Sequence, residues 1–175
     1  MTVSGHGFRS GREDRWLDDY VPGNVHELGE ITVSQHEIIE FASRFDPQPF
    51  HVDEKAAADT IFGGIIASGW HTAALVMRVL VDHYLSSVAS LSSPGIDELR
   101  WLQPVRPGER LALRATVLGA RVSRSKPDRG LVQSLFELRR VDDDEPVMTM
   151  KALNLFACRP GTQAASPSDQ PTRKS

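Results

Sequence analysis

The stretch FASRFDPQPFHVDEKAAADTIFGGIIASGWHTAALVMRVLVDHY, residues 41–84, contains the features that decide the fold of this chain. Asp46 and His51 lie five residues apart in a turn that contains two prolines. Residues 59–70 lead through a glycine-rich segment into the run 71–84, whose apolar side chains cover most of a helical circumference. Such a helix is typically enclosed by other structure. The stretch therefore predicts a buried helix in the same segment as a carboxylate and an imidazole.

The composition is that of an ordinary globular domain. The chain has 175 residues, of which 40% are hydrophobic and 25% charged, so one domain with a substantial core is expected. Lys and Arg total 20 against 23 Asp and Glu, a net charge of -3, which argues against a general nucleic-acid-binding protein because such proteins carry a basic stripe. Cys158 is the single cysteine. No internal disulfide is possible, and a cytoplasmic protein fits best.

The hydrophobicity pattern predicts a soluble protein. The first residues lack the apolar core of a signal peptide. The longest apolar run, near residues 73–81, is interrupted by Arg78 and followed by Asp82 and His83. It is too short and too charged to span a bilayer, so no membrane association is expected.

The chain is expected to form one domain with two tails. Residues 1–15 are expected to be a flexible N-terminal segment, residues 16–158 the folded domain, and residues 159–175 a disordered C-terminal tail rich in Pro, Ser and Gln. Within the domain, WLDDY at 16–20 is predicted to be extended and to lead into a turn.

Local signals predict helices on both sides of the proline turn. Ser34 and Glu37 form a capping-box pattern at the start of the first helix. That helix is expected to end at Asp46, because the residue before Pro47 disfavours helical dihedral angles. Asp53 is the expected N-cap of a short alanine-rich helix. The long apolar helix then follows the glycine-rich segment.

Alternating apolar residues predict four strands in the C-terminal half, at 96–102, 111–117, 131–141 and 147–157. Residues 90–95 are predicted to be the loop between the long helix and the first of these strands. Hairpin-like connections favour an antiparallel sheet, so the pattern predicts an α+β domain whose sheet wraps around the helix. Such a sheet has exposed edges, and pairing with a second copy of the chain is expected to cover them.

Asp46 and His51 are a candidate acid/base pair. The spacing alone is common, and an Asp that ends a helix beside a His bonded to a backbone carbonyl is the ordinary explanation. Pro47 and Pro49 stiffen the turn, and the apolar neighbours favour partial desolvation, which shifts proton affinities. A helix start at Gly69 adds a backbone N–H that can stabilise a developing oxyanion.

Three stretches together resemble the MaoC-like (R)-specific enoyl-CoA hydratase family: DPQPFHVDEKAA (46–57), FGGIIASGWHTAAL (62–75) and GIDELRWLQPVRPGERL (95–111). The resemblance covers roughly residues 20–156. It implies the hot-dog fold, in which a curved antiparallel β-sheet wraps a long central helix, and a protein that is usually dimeric. It also implies that Asp46 and His51 are the catalytic pair holding one water, and that the N–H of Gly69 holds the thioester carbonyl oxygen.

The resemblance also guides the choice of substrate-binding residues. Many hydratases of the family have an Asn where this chain has Gln48. The candidate substrate-binding residues are Gln48, Ser68, Trp70, His71 and Thr72. Ser68 is also explained as a helix N-cap, and His71 and Thr72 are also explained as ordinary helix positions.

The implied reaction is the reversible hydration of a trans-2-enoyl-CoA thioester to the (R)-3-hydroxyacyl thioester, which would make the protein a lyase. Adding water needs a base for the water, an acid for C2 and a positive dipole where enolate charge collects. A carboxylate and an imidazole can serve the first two needs, and the residues leave open which of them is the base. No cofactor beyond the coenzyme A thioester substrate is expected, and no metal.

Two other functions fit parts of the sequence. A non-catalytic acyl-thioester-binding chain, or a partner subunit of a two-chain dehydratase, would share the fold, although the presence of both pair residues disfavours it. A non-haem iron oxidoreductase would use His51 and Asp53 with His71 or His83. Both later histidines fall on a predicted helix, and Asp53 is better explained as an N-cap.

Arg121, Arg124 and Lys126 form a basic cluster before a predicted hairpin turn. A charged loop in solvent is the simpler explanation. The functional alternative is contact with the phosphates of coenzyme A or of a carrier-protein pantetheine arm.

Overall fold

The computed structural model describes residues 8–161 of the chain. Its α-helices are α1 (Gln35–Phe45), α2 (Pro49–Val52), α3 (Glu54–Ala58) and α4 (Gly69–Val79). Its strands are β1 (Val25–Thr32), β2 (Ser90–Trp101), β3 (Arg110–Val122), β4 (Arg129–Arg140) and β5 (Pro146–Ala157). The shorter elements are 3-10 turns at Arg12–Asp14 and Leu17–Asp19 and a π-helical turn at Leu80–Tyr84.

The strands form one antiparallel sheet in the order β1-β3-β4-β5-β2. Side chains alternate along β3 and β4, so that one face of the sheet is buried. On that face Leu113 pairs with Leu138, and Ala115 pairs with Phe136. All four side chains are fully buried and form one core with the apolar side of α4. The sheet therefore wraps the helix, as the alternation predicts.

The end of the central helix is closed by the N-terminal part of the chain. The long helix predicted from the sequence is confirmed as α4 together with the π-helical turn that follows it. The guanidinium of Arg15 donates to the backbone oxygens of His83 and Tyr84, at 2.8 Å each. The hydroxyl of Tyr20 also donates to the Tyr84 oxygen, at 2.8 Å. These donors satisfy terminal carbonyls and place positive charge at the negative end of the helix.

Packing of the domain begins before residue 16. Phe8 stacks on His26 with ring centroids 3.9 Å apart, and the Arg15 guanidinium lies 3.6 Å from the Phe8 ring centroid. Residues 8–15 are predicted from the sequence to belong to a flexible segment. In the structure, Phe8 and Arg15 of this segment pack against the domain. The rest of the predicted tails, residues 1–7 and 162–175, lies outside the described residues.

The extended conformation predicted for residues 16–20 is wrong. The structure has a 3-10 turn there, Leu17–Asp19. The Asp19 carboxylate accepts a hydrogen bond from the Trp16 backbone N–H at 2.8 Å, which caps the turn. This turn buries Leu17 and Tyr20 in the core.

The loop predicted at residues 90–95 is also wrong, because these residues form the first half of β2. Their pairing with β5 is irregular, with register shifts after Ser90, Ser92 and Ile96. Bulges of this kind let an edge strand accommodate Pro94, which cannot donate to the ladder. Pairing with β5 therefore extends the strand through the residues predicted to be a loop.

The predicted α+β hot-dog architecture is confirmed, since a five-stranded antiparallel sheet wraps one central helix. Among the described residues, none of the helices has the length and apolar character needed to cross a membrane.

Candidate active site

The turn between α1 and α2 places a carboxylate at a helix end. Asp46 is the C-cap residue of α1, with φ -152° and ψ 65°, and its N–H donates to the Ala42 oxygen at 2.8 Å. Pro47 follows, so α1 cannot continue. Pro49 begins α2, where its missing N–H costs nothing. The two prolines therefore hold the chain in a fixed bend between the helices.

His51 lies on α2 and points into the protein. It is only 4% exposed, and its Nδ1 lies 2.7 Å from the backbone oxygen of Ile66. Its other ring nitrogen, Nε2, is 3.3 Å from Asp46 Oδ2. The predicted pair is therefore brought together, and the imidazole is oriented by a backbone carbonyl 15 residues further along the chain.

The Asp46 carboxylate is surrounded by hydrogen-bond donors. The Ser68 hydroxyl donates to Oδ2 at 2.6 Å, and the Gln48 amide donates to Oδ1 at 2.7 Å. These two bonds, with a smaller contribution from His51, lower the pKa of Asp46 below its usual value, against a partial opposing effect of burial. Asp46 is therefore ionised at neutral pH.

Ser68 connects this carboxylate to the start of α4. It is the N-cap of the helix, as predicted, and its hydroxyl accepts the Trp70 N–H at 3.3 Å while it donates to Asp46. Gly69 is the first residue of α4, so its N–H has no acceptor within the helix. The positive end of the helix dipole lies at the same place.

One cavity contains both the pair and the helix start. Its volume is about 420 Å³, and its polar lining includes Asp46, Gln48 and His51. The apolar lining comes mainly from the segment before α4 and from the residues at and after the end of β2: Phe62, Ile66, Ala67, Trp101, Leu102, Pro104 and Val105. A carboxylate, an imidazole and a helix N-terminus beside an apolar surface suit a ligand with an apolar chain and a reactive carbonyl.

The predicted substrate-binding residues divide into two groups. Gln48, Trp70 and Thr72 line the cavity together with Gly69. Ser68 is fully buried and acts on Asp46 rather than on the cavity surface. The cavity lining does not include His71.

His71 instead faces α1. Its ring stacks on Phe41, with centroids 4.8 Å apart and an interplanar angle of 14°. Burial lowers the pKa of His71, against a smaller opposing effect of Glu37. A buried, neutral ring in this position explains His71 as a packing residue of the helix interface.

The basic cluster at Arg121, Arg124 and Lys126 does not contribute to the cavity lining. Arg121 lines a different, largely apolar depression together with Leu17 and Pro22. In the part of the chain that the structure describes, none of these three basic side chains lines the Asp46–His51 cavity.

The iron-site interpretation also lacks its geometry. Within residues 8–161, no group of three His, Cys, Asp or Glu side chains is arranged to hold a metal ion. Asp53 caps α3 by accepting the Ala56 N–H at 2.9 Å, as predicted. His71 packs on Phe41, so it is not available as a ligand beside His51.

Two contributors to the site have no signal in the local sequence. Trp101, at the end of β2, lines the cavity and donates from its indole Nε1 to the Gly69 oxygen at 2.8 Å. The Ile66 oxygen orients His51. A backbone oxygen has no sequence signature, and the position of Trp101 depends on how β2 pairs with β5, so no local pattern indicates either of them.

Comparison with known proteins agrees with this fold. The family model described as MaoC like domain matches residues 21–134. A solved MaoC-like dehydratase from Rhodospirillum rubrum superposes with a TM-score of 0.77 at 38% identity, covering 83% of this chain and 99% of that one. The solved (R)-hydratase PhaJ1 from Pseudomonas aeruginosa shares the fold, with a TM-score of 0.63 at 22% identity over 82% of this chain and 86% of that one.

A named relative is also similar to this chain over part of its length. The 3-hydroxyacyl-thioester dehydratase Z of Mycobacterium tuberculosis is 33% identical over 91 residues, which are 51% of this chain and 60% of that protein. The family model alone spans more than half of the sequence. The resemblance drawn from the three sequence stretches is thereby confirmed, and the chain belongs to the MaoC-like family.

Proposed function

We propose that this protein catalyses the reversible hydration of a trans-2-enoyl thioester to the (R)-3-hydroxyacyl thioester. The observation that carries the proposal is that Asp46, His51 and the first residue of α4 line one cavity. Asp46 Oδ2 and His51 Nε2 are 3.3 Å apart, so a single water can contact both atoms. The coenzyme A thioester is the expected substrate, and the reaction needs no other cofactor.

The hydrogen bond at Nδ1 determines which nitrogen of His51 exchanges protons. A carbonyl oxygen only accepts, so the nitrogen that lies 2.7 Å from the Ile66 oxygen must carry a hydrogen. The exchangeable position is therefore Nε2, the atom beside Asp46. A base or acid at this position acts directly on a water held between the two side chains.

The reaction balances with these groups alone. The water oxygen forms a bond to C3, and one water proton passes to the Asp46–His51 pair. The electrons of the C2–C3 double bond move to the thioester oxygen, where the Gly69 N–H and the helix dipole stabilise the negative charge. The pair then returns a proton to C2, and the enolate collapses to the hydroxyacyl thioester. Positioned acid/base groups typically contribute about 10²–10⁴-fold to such a rate.

A homodimer is part of this proposal. β2 is an edge strand, and Leu91, Ile96 and Trp101 on it are 44–52% exposed. Exposed apolar edges are normally covered by pairing, and a second copy is the simplest partner. A different hot-dog chain in a two-chain dehydratase would cover the same edge. Co-purification of such a chain, in place of a homodimer, would favour that second candidate.

A cytoplasmic location is proposed because the single cysteine, Cys158, cannot form an internal disulfide. A role in fatty acid metabolism follows from the proposed substrate class.

The decisive experiment measures hydration of short trans-2-enoyl-CoA substrates by the loss of their ultraviolet absorbance, followed by chiral analysis of the product. Asp46→Asn and His51→Ala are each expected to lower kcat by at least about 10²-fold. Asp53→Asn makes the same chemical change at a helix cap outside the cavity, and His36→Ala removes an exposed imidazole. Both controls should keep wild-type rates. Wild-type rates in either site variant, or an (S) product, would contradict the proposal.

A further inference from the structure

Trp101 lies directly against the first residue of the central helix. Its indole Nε1 donates to the Gly69 oxygen at 2.8 Å. A Cβ atom built on Gly69 would come within 2.5 Å of Trp101 Cε2 and within 2.8 Å of Cδ2 and Nε1. The indole therefore occupies the space that any other residue at position 69 would need.

This contact explains why a glycine stands at the start of α4. Gly69 begins a regular helix, and its backbone does not adopt the left-handed conformation that favours glycine. Alanine is the better helix former, by about 1 kcal/mol in a helix interior. A backbone preference therefore does not account for the glycine, whereas the close approach of the indole does.

The indole is itself held in place by the sheet. Trp101 pairs with Met148 at the end of β2, and the next residue, Leu102, donates its N–H to the Val147 oxygen at 2.9 Å. The Trp70 ring packs on Trp101 edge to face, with centroids 5.3 Å apart. Through its contact with Gly69, the position of this sheet edge thus determines the position of the helix N-terminus.

We propose that Trp101 is a positioning residue, which fixes the Gly69 backbone so that its N–H points at the thioester oxygen. This inference rests on the proposed function. The peptide before Gly69 is held by Ser68, whose hydroxyl is bonded to Asp46. The carbonyl after it is held by Trp101. The N–H that donates to the enolate oxygen is therefore fixed from both sides. This gives the preorganisation that oxyanion stabilisation requires.

The first test is Trp101→Phe, which keeps an aromatic ring beside Gly69 but removes the indole hydrogen bond. The expected result is a fall in kcat of about tenfold, with a change in KM below about threefold, because the amide is misaligned in the transition state more than in the bound substrate. Trp16→Phe is the matched control, because the Trp16 indole donates to Asp14 outside the cavity, at 3.2 Å. A kcat for Trp101→Phe within about twofold of wild type would overturn the inference.

The second test is a double-variant cycle. Gly69→Ala is expected to lower kcat by about 10²-fold, because the new methyl group displaces the helix start from the indole. The Gly69→Ala/Trp101→Ala double variant has room for that methyl group. Its kcat should exceed the value expected from independent effects by at least about tenfold. Independent effects in the double variant would overturn the inference.

The two tests separate this inference from the proposed function. A wild-type protein that hydrates no enoyl thioester refutes the proposed function itself. An active wild type with a normal Trp101→Phe refutes only the role of Trp101. Thermal unfolding of every variant shows whether it folds, and if Gly69→Ala does not fold, the Trp101→Phe comparison alone decides.

Discussion

The hydroxyl of Ser68 donates to Asp46 Oδ2 at 2.6 Å and accepts the N–H of Trp70 at 3.3 Å. One buried oxygen thus caps the central helix and binds the candidate catalytic carboxylate. The cap alone would stabilise the helix, typically by about 1 kcal/mol. The bond to Asp46 adds a second consequence, since it is the main cause of the lowered pKa of that carboxyl.

Ser68→Ala is therefore expected to shift the acidic limb of the kcat/KM profile to higher pH. Removing the donor raises the pKa of Asp46, so the carboxylate becomes protonated at a higher pH than in the wild type. Near neutral pH, kcat/KM should fall by about tenfold, because a buried bond to a charged group is lost. A pH profile of kcat/KM from acid to neutral measures both effects.

Ser34→Ala is the matched control for this change. Ser34 is also a helix N-cap, on α1, but its hydroxyl bonds to Glu37 and not to the cavity. It should lower stability without moving the acidic limb. An unshifted limb in Ser68→Ala would show that the serine acts only as a cap.

Gln48→Ala should produce a smaller shift in the same direction. The Gln48 amide is the second cause of the lowered pKa of Asp46, and it is exposed to solvent. Its loss should therefore raise the pKa of Asp46 less than the loss of the Ser68 hydroxyl. Gln35→Ala removes an amide–carboxylate bond to Glu54 outside the cavity and serves as control. An acidic limb that moves as far as in Ser68→Ala would show that Gln48 is the dominant donor.

His71→Phe should change the dependence of stability on pH while leaving hydration nearly intact. Burial lowers the pKa of folded His71, so below about pH 6.5 the unfolded chain takes up a proton that the folded protein resists. The wild type therefore loses stability from about pH 6.5 downwards, through the folded pKa, and the variant should lose less. Melting temperatures at neutral and mildly acidic pH test this. A large loss of kcat would place His71 in the site after all.

Arg15→Ala should destabilise the protein by about 2–4 kcal/mol, because two helix-terminal carbonyls lose a charged donor. Arg9→Ala changes an exposed arginine in the same segment and should be nearly neutral. Denaturant unfolding of both variants measures the difference. Equal stability of the two variants would mean that residues 8–15 do not contribute to the fold.

Ile96→Asp should disrupt the proposed homodimer. Ile96 lies on the edge strand β2 and is 52% exposed, so a charge there would be buried on pairing. Val25→Asp makes the same change on the opposite edge strand β1, where Val25 is 45% exposed. Light scattering should report a monomer for the first variant only. A monomeric wild type, or a dimer that survives Ile96→Asp, would exclude this interface.

Interactions between near neighbours in the chain were predictable from the sequence. The capping box of Ser34 and Glu37, the caps at Asp53 and Ser68 and the end of α1 at Asp46 all appear where the residue types place them. Each depends on a side chain and a backbone group within a few residues of each other, so the local pattern contains all the information needed. The same holds for the proline turn that brings Asp46 and His51 together.

The limits of the sequence appear where distant segments meet. Residues 90–95 are predicted to be a loop, yet pairing with β5 makes them part of a bulged strand. His71 has the residue type and the position of a site residue, but the packing of α4 on α1 turns it towards Phe41. In both cases tertiary contacts outweigh a local preference.

Residue types and local spacing identify the segment 41–84 as the centre of the protein, with its candidate acid/base pair, its helix start and its buried helix. Long-range packing places the groups that surround them. It brought the Ile66 oxygen to His51 across 15 residues and the Trp101 indole to Gly69 across 32 residues. Strand pairing places Trp101 beside Gly69, and the packing of the segment before α4 on α2 places the Ile66 oxygen beside His51. Both contacts arise when distant segments pack together, so no local pattern contains them.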